Sequence, residues 1–366
     1  MQERDIQIID HPAAWRASDV AGKEDFAIDL TPRHIHAMQD SLAGFRASVD
    51  ETGAATPDAF PLTPIADDIA KWRTELLHGR GMVILRGFPI DQADPADLRA
   101  MYLGLGTHFG RPVSQSAMGD LVGDVVNIGG KDPRERAYRN SRTLNLHTDR
   151  CDHIGMLCLH KSMEGGVSGY ASALAVHNEI LATRPELLAA LYNGYHHHRF
   201  GEQKPGDPLV TAERIPIFSI TKGVPNVIYI RGYIDLTVAE GHITLSEMEQ
   251  DALDYFDTVA NRDDIRLNFT MEPGEINFTI IASCCTPERA SKIFPTPPIG
   301  AIYCACGSAK TAAPPPPASS PIKAKTASCL VRTRARIIVR RTPQSEATPI
   351  YGALATHPGQ AKTQRV

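Results

Sequence analysis

In the stretch TLNLHTDRCDHIGMLCL, residues 143–159, an imidazole and a carboxylate stand two apart, at His147 and Asp149. Alternate side chains of an extended chain share one face, so this pair can offer a nitrogen and an oxygen to a single ion. Two histidines and one carboxylate on one face of a metal are the donor set suited to ferrous iron, with positions left open for other ligands. The pair is therefore half or more of such a set. It is equally compatible with a strand His and Asp bonded to each other or to backbone. With 14 His and 42 acidic residues in the chain, one H-x-D pair by chance is ordinary.

Other histidines compete for the same role. YHHHRF, residues 195–200, has three in a row. Neighbours on a strand point to opposite faces, so the run is predicted to be a solvated strand rather than a metal cage. His177, in AVHNEI, opens a helix and reads as a packing or capping residue. His153 lies six residues past His147, beyond the reach of the same ion.

The pair needs elements to hold it. Residues 32–48 and 65–78 read as amphipathic helices, the second ended by Gly79. MVILRGF, 82–88, has the continuous apolar character of a buried strand, and Asp94 caps a helix running to about residue 105. Residues 120–128 and 153–160 are strand-like, and 165–191 pass from turn to strand to two short helices broken before Pro185. Residues 215–220 and 226–231 suggest a hairpin around TKGVPN, and 265–278 a strand, a Pro-Gly turn and a strand. Residues 244–261 form a helix with Thr244 and Glu247 in capping-box spacing. Short strands with helical inserts predict a mainly β protein with helical decoration, an α+β chain built on a β-sandwich or jelly roll.

Composition bounds the rest. A chain of 366 residues suits one large domain or two ordinary ones. No run of eighteen apolar residues offers a membrane span, and the charged start MQERDIQIID lacks the apolar core of a secretory signal, so a cytoplasmic protein is expected. The seven cysteines have no regular spacing and support neither a disulfide framework nor a zinc site. The net charge of −4 hides a split: residues 291–366 carry eleven Lys/Arg and one acid, Glu346, while the remainder carries a net −14. After Phe278 the periodicity collapses, and Pro-rich text such as AAPPPPASSPIKAK follows. Such a break reads as a disordered basic tail, a nucleic-acid arm or a mistranslated segment.

Beyond the pair, the chain resembles the TauD/TfdA family of Fe(II)- and 2-oxoglutarate-dependent oxygenases. The resemblance rests on GRGMVILRGFPID, GLGTHFGRPVSQ, LHTDRCDHIGMLCL, GGVSGYASALAVHNEIL and EPGEINF, in the family's order over about residues 10–278. It implies a double-stranded β-helix, a form of jelly roll, over residues 1–278, with Fe(II) as cofactor, 2-oxoglutarate as co-substrate, O2 and a small-molecule substrate. It implies that His147 and Asp149 are iron ligands and that Ser168, in GGVS, bonds a carboxylate of 2-oxoglutarate; Ser168 could also be a plain turn residue. Asn145 and Gln115 would lie near the substrate, although a structural strand Asn and a loop-capping Gln are alternatives. No separate acid–base catalytic residue is implied.

The family then requires a second His soon after PGEINF, and later an Arg that pairs with 2-oxoglutarate. This chain has no His between His242 and His357, so the distal His and the Arg are missing and impaired activity is expected. A shifted reading frame accounts for the loss. Joining the last base of one codon to the first two of the next, Cys284 into Cys285 yields Leu whatever the codons, and Cys285 into Thr286 yields Tyr or His. Tyr303 into Cys304 yields Leu, and Cys306 into Gly307 yields Trp or Arg. With permitted bases the run reads NNRVLLHARARFEDFPDPAHRRHLLRLWL, which restores a distal His and an Arg-bearing strand. On this reading the last strands of the barrel are missing and 279–366 is an aberrant, disordered tail. Two other functional classes stay open: an inactive small-molecule-binding pseudoenzyme on the same fold, and a nucleic-acid-associated protein acting through its basic tail. The tail's few aromatics, Phe294, Tyr303 and Tyr351, give base stacking little support. A homo-oligomer is compatible with the sequence.

Overall fold

The structure is a computed structural model that describes residues 6–52, 54–114, 120–125, 145–162, 165–200, 203, 205–221, 223–280, 283–286 and 301–307, the last two segments as backbone. The chain divides into two units, Met1–Pro314 and Pro315–Val366, and the second lies outside the described residues. In chain order the elements are β1 (Ala27–Asp29), α1 (Pro32–Thr52), α2 (Ala66–His78), β2 (Met82–Arg86), α3 (Pro95–Thr107), β3 (Arg111–Pro112) and β4 (Gly123–Val125). Then come β5 (His153–Cys158), β6 (Val167–Ser172), α4 (Ala173–Thr183), α5 (Leu188–Asn193), β7 (Phe218–Thr221) and β8 (Val224–Val227). The described part ends with α6 (Arg231–Ala239), α7 (Glu247–Ala260), β9 (Arg266–Thr270), β10 (Ile276–Ile280), β11 (Ser283–Thr286) and β12 (Ala301–Gly307).

The larger sheet runs β1-β2-β10-β5-β12-β3, with β4 also on β12; the smaller is β11-β6-β9, and β7-β8 is a separate hairpin. Only β1–β2 is parallel among these pairs. Period-two alternation sorts the side chains of the larger sheet into two cores. Val83 and Leu85 of β2, Leu157 of β5, and Ile276 and Phe278 of β10 pack with α1–α3 residues such as Met38, Trp72 and Tyr102. Met82 and Ile84, with Ile154 and Cys158, point the other way and meet Tyr170 of β6 and Leu267 and Phe269 of β9. The outer side of the smaller sheet is covered by α4, α5 and α7 through Ala171, Leu174, Ile180, Leu191, Leu253 and Phe256. Two sheets thus face each other, each with helices behind it.

Local chemistry explains the element ends. Asp94 caps α3 by accepting from the Ala96 and Asp97 amides, both at 2.9 Å, with Pro95 at the first helical position. In EPGEINF, Gly274 sits at φ 83°, and a Cβ there would lie 3.0 Å from the Phe88 carbonyl oxygen, so the turn into β10 needs glycine. Glu275, buried beside this turn, is held by Lys23 Nζ at 3.0 Å.

Three sequence expectations change. The capping box of α7 is Ser246 with Glu249, two residues beyond Thr244 and Glu247: the Ser246 amide donates to Glu249 Oε2 at 2.9 Å and Ser246 Oγ accepts from the Glu249 amide at 3.3 Å. Both pairs have the right spacing, and Glu249 is the one also bound by Arg214. The helix α6 was not expected; Gly232, Ile234, Thr237 and Val238 weaken its local propensity, and Arg231 ties it down by reaching Asp235, Asp254 and Asp257. The chain beyond Phe278 carries two paired strands, where the sequence suggested that the last strands were missing. β11 pairs with β6, and β12 seats Ala301–Cys306 against His153–Cys158. Edge strands β5 and β6 offer unpaired backbone groups, and any segment with tolerable β propensity, such as AIYCACG, can occupy them.

Candidate metal and co-substrate site

Residues 145–150 form the lead-in to β5 rather than a regular strand, yet burial alternates along them. Leu146 and Thr148 are both 1% exposed, whereas His147 and Asp149 are half-buried. Leu146 belongs to the core behind the smaller sheet, so its face is occupied and His147 and Asp149 share the opposite, solvent-reachable side. His147 Nδ1 lies 2.8 Å from the Asn145 carbonyl oxygen. A carbonyl can only accept, so Nδ1 must carry the proton, and the Nε2 lone pair is left for a metal. Metal-binding histidines are oriented in this way, by a donor bond from the second ring nitrogen.

Asn145 therefore enters the site through its backbone; its side chain is exposed. Ser168 is buried on β6, two residues before Tyr170 and on the same face, directed between the sheets. Gln115 lies outside the described residues.

A polar line crosses the space between the sheets that the sequence reading did not single out. Asn277 Nδ2 donates to the Tyr170 hydroxyl at 2.8 Å, and Thr279 Oγ1 donates to Asn277 Oδ1 at 2.9 Å. Tyr170 stacks on Phe269 with centroids 4.8 Å apart. The signal was an Asn and a Thr at alternate positions of the apolar strand EINFTI, where nothing polar is needed for packing.

The remaining histidines separate clearly. His153 shares the β5 face of Leu157, towards α1–α3, so it points away from the inter-sheet space. It is fully buried without a hydrogen-bond partner, and burial pushes it down to about 4. His177 is a packing residue as expected, with Nε2 3.0 Å from the Tyr192 hydroxyl.

The YHHHRF run is not a solvated strand: His197 is fully buried and His198 is 5% exposed. Its chain is irregular, pinned by single bridges of Tyr195 and His198 to Ile215 and Val210, so strand alternation does not govern it. His198 does join the one described group of three metal-type side chains, with Glu240 and His242. Its Nε2 is 3.1 Å, and that of His242 3.2 Å, from Glu240 Oε2. Here the second nitrogen argues against a metal. His198 Nδ1 accepts from the Phe200 amide at 2.9 Å, so in the neutral ring Nε2 carries the proton and donates to Glu240. The group is a hydrogen-bonded clasp.

The residues present fit iron(II) in part: one imidazole with its lone pair free and one carboxylate, with no third donor beside them among the described residues.

The chain is similar to several known proteins. The taurine catabolism dioxygenase TauD, TfdA family profile matches residues 46–279. The chain is 31% identical over 279 residues to FR-33289 synthase of Streptomyces rubellomurinus, covering 74% of this chain and 82% of that protein. It is 23% identical to the taurine hydroxylase-like protein SAT17 of Stachybotrys chartarum, over 72% of this chain and 70% of the other. Among solved structures, asparagine oxygenase with Fe(II), 2S,3S-3-hydroxyasparagine and succinate superposes with a TM-score of 0.56 at 16% identity, covering 77% of this chain and 94% of that one. The non-heme iron oxygenase OrfP with Fe, succinate and (3S)-hydroxy-L-Arg does so with a TM-score of 0.54 at 13% identity and the same coverage.

Proposed function

We propose, from the premise that this chain belongs to the TauD/TfdA family of Fe(II)- and 2-oxoglutarate-dependent dioxygenases, that His147 and Asp149 are two of its three iron-holding side chains and that the substrate is a small molecule. The observation that carries this reading is the bond from His147 Nδ1 to the Asn145 carbonyl, which in the neutral ring puts the proton on Nδ1 and the lone pair on Nε2. Bound iron would supply the redox chemistry by which O2 is consumed, one oxygen atom entering succinate as 2-oxoglutarate loses carbon dioxide and the other hydroxylating a substrate C–H bond.

The protein's own part is positioning. Ser168, on the inner face of a double-stranded β-helix, donates its hydroxyl to a carboxylate of 2-oxoglutarate, a charge-assisted bond that fixes the co-substrate's orientation. The names of the similar proteins, an asparagine oxygenase and an arginine-binding oxygenase among them, favour an amino acid or a related polar metabolite as substrate.

The distal His and the Arg anchor are displaced in this chain by a frame slip near Thr279. The support is convergent. The family match ends at Thr279. Hydrophobic periodicity ends at Phe278, the acid-rich composition turns basic, and the shifted frame yields forced Leu positions where strands belong. β11 and β12 fill sheet edges with a segment that contains no His. The polypeptide as written therefore binds iron weakly and turns over slowly or not at all. The missing donor equally supports a second reading, a binding protein without catalysis on the same fold. Sequencing the coding DNA across Ile276–Ala290 decides the frame: a His codon at the Cys285–Thr286 junction in the alternative frame is expected, and its absence rejects the slip.

A further inference from the structure

The segment that carries His147 and Asp149 precedes β5. Thr148, between the two, and Arg150, after them, tie it to the chain around Tyr229 and Tyr233. Thr148 donates its amide to the Tyr229 carbonyl at 2.7 Å, and its hydroxyl accepts from the Tyr229 amide at 2.7 Å. Thr148 is 1% exposed and Tyr229 fully buried, so both backbone groups of Tyr229 depend on this single residue and have no water to replace it. Tyr229 is itself immobilised by α7: its ring lies 4.0 Å from that of Phe256, and its hydroxyl donates to Asp257. Arg231 ties the same Asp257 to the start of α6. A second grip follows at Arg150, whose guanidinium lies 4.8 Å over the Tyr233 ring, with Phe200 stacked on that ring at 5.9 Å.

We propose that Thr148 is the positioning residue of the metal pair. By docking on Tyr229 it pulls the even-numbered face of the lead-in onto the α6–α7 insert and turns His147 and Asp149 together towards the opposite side. The insert, far from His147 in sequence, thereby sets the spacing of the two donors. The inference rests on the reading of His147 and Asp149 as iron ligands. Thr148 touches neither iron nor substrate; it acts through its two neighbours.

Thr148→Val keeps the shape and removes the acceptor for the Tyr229 amide. Thr148→Ser keeps the hydroxyl. The full chain and both variants are titrated anaerobically with Fe(II) in excess 2-oxoglutarate, well below their melting temperatures, and hydrogen exchange is followed over residues 145–152 without metal. Thr148→Val is expected to weaken Fe(II) binding on the order of tenfold, the scale of losing a support behind a ligand, and to exchange faster over 145–152. Thr148→Ser is expected to stay within about threefold of the parent, as a support that needs only the hydroxyl should. A folded Thr148→Val with parental affinity overturns the inference, as does unchanged exchange. If the parent's Fe(II) binding is too weak to compare, as the lack of a third donor among the described residues predicts, the exchange experiment alone decides whether Thr148 clamps the segment, and unchanged exchange in Thr148→Val overturns the inference.

Discussion

A proton's position on a ring separates two histidines that the sequence cannot tell apart. His147 gives its Nδ1 proton to a carbonyl and keeps a lone pair at Nε2; His198 receives a proton at Nδ1 and spends Nε2 on Glu240. In the frame-restored protein, His147→Ala or Asp149→Ala is therefore expected to abolish Fe(II)-dependent 2-oxoglutarate binding, measured by calorimetry under nitrogen. His242→Ala should leave it within about twofold, since it only releases an exposed clasp worth little. A second residue-scale expectation concerns acid. Burial pushes His153 and His197 down to about 4 from an ordinary 6.5. Between those values the unfolded chain binds protons that the folded one does not, so stability falls as pH drops from about 6.5 towards 4 and is unaffected above. Urea midpoints across that range should show the decline. His153→Leu should roughly halve the decline, His197 keeping the rest, and leave stability near neutral pH within about 1 kcal/mol of the parent, because two unpaired buried nitrogens disappear. A large loss at neutral pH would give His153 a structural bond that its surroundings do not show. The alternation of burial along 146–149 was legible in the H-x-D spacing, because period two survives in any extended chain. The burial of His197 and His198 was not, because three consecutive polar residues look solvated until Tyr233 and Thr211 are packed over them from distant sequence.

Elements carry their own tests. Ser246→Ala should cost about 1 kcal/mol of stability through loss of the α7 cap, whereas Thr244→Ala should cost next to nothing; equilibrium denaturation distinguishes them, and the opposite order would restore the box that spacing alone suggested. Helices with an apolar stripe, such as α2 and the Asp94-capped α3, and the continuous apolar strand β2, were readable from local pattern. The short α6 was not, since its stability comes from Arg231 meeting carboxylates on α7, a pairing that only the folded chain creates. β11 and β12 show the converse. Their sequence gives little reason for strands, and the open edges of β6 and β5 recruit them.

At the scale of the whole molecule, the net −14 of residues 1–290 against the eleven basic residues that follow marks a change of text within one polypeptide. The family match stops at Thr279, shortly before that change. A sheet can accept foreign residues at its edge through backbone bonds, but a metal site cannot: it needs particular side chains at particular strand positions. On the proposed reading, that asymmetry is how a chain could keep an oxygenase scaffold while lacking a third iron donor.

The central claim is that His147 and Asp149 wait for an imidazole encoded in the neighbouring frame. Its most direct test is anaerobic addition of Fe(II) to protein and 2-oxoglutarate, watching for the visible charge-transfer absorption of the chelated co-substrate. The frame-restored protein is expected to develop the band at stoichiometric iron, and the chain as written to develop little or none. An equal band in both, or its survival in a frame-restored His147→Ala variant, would contradict the account.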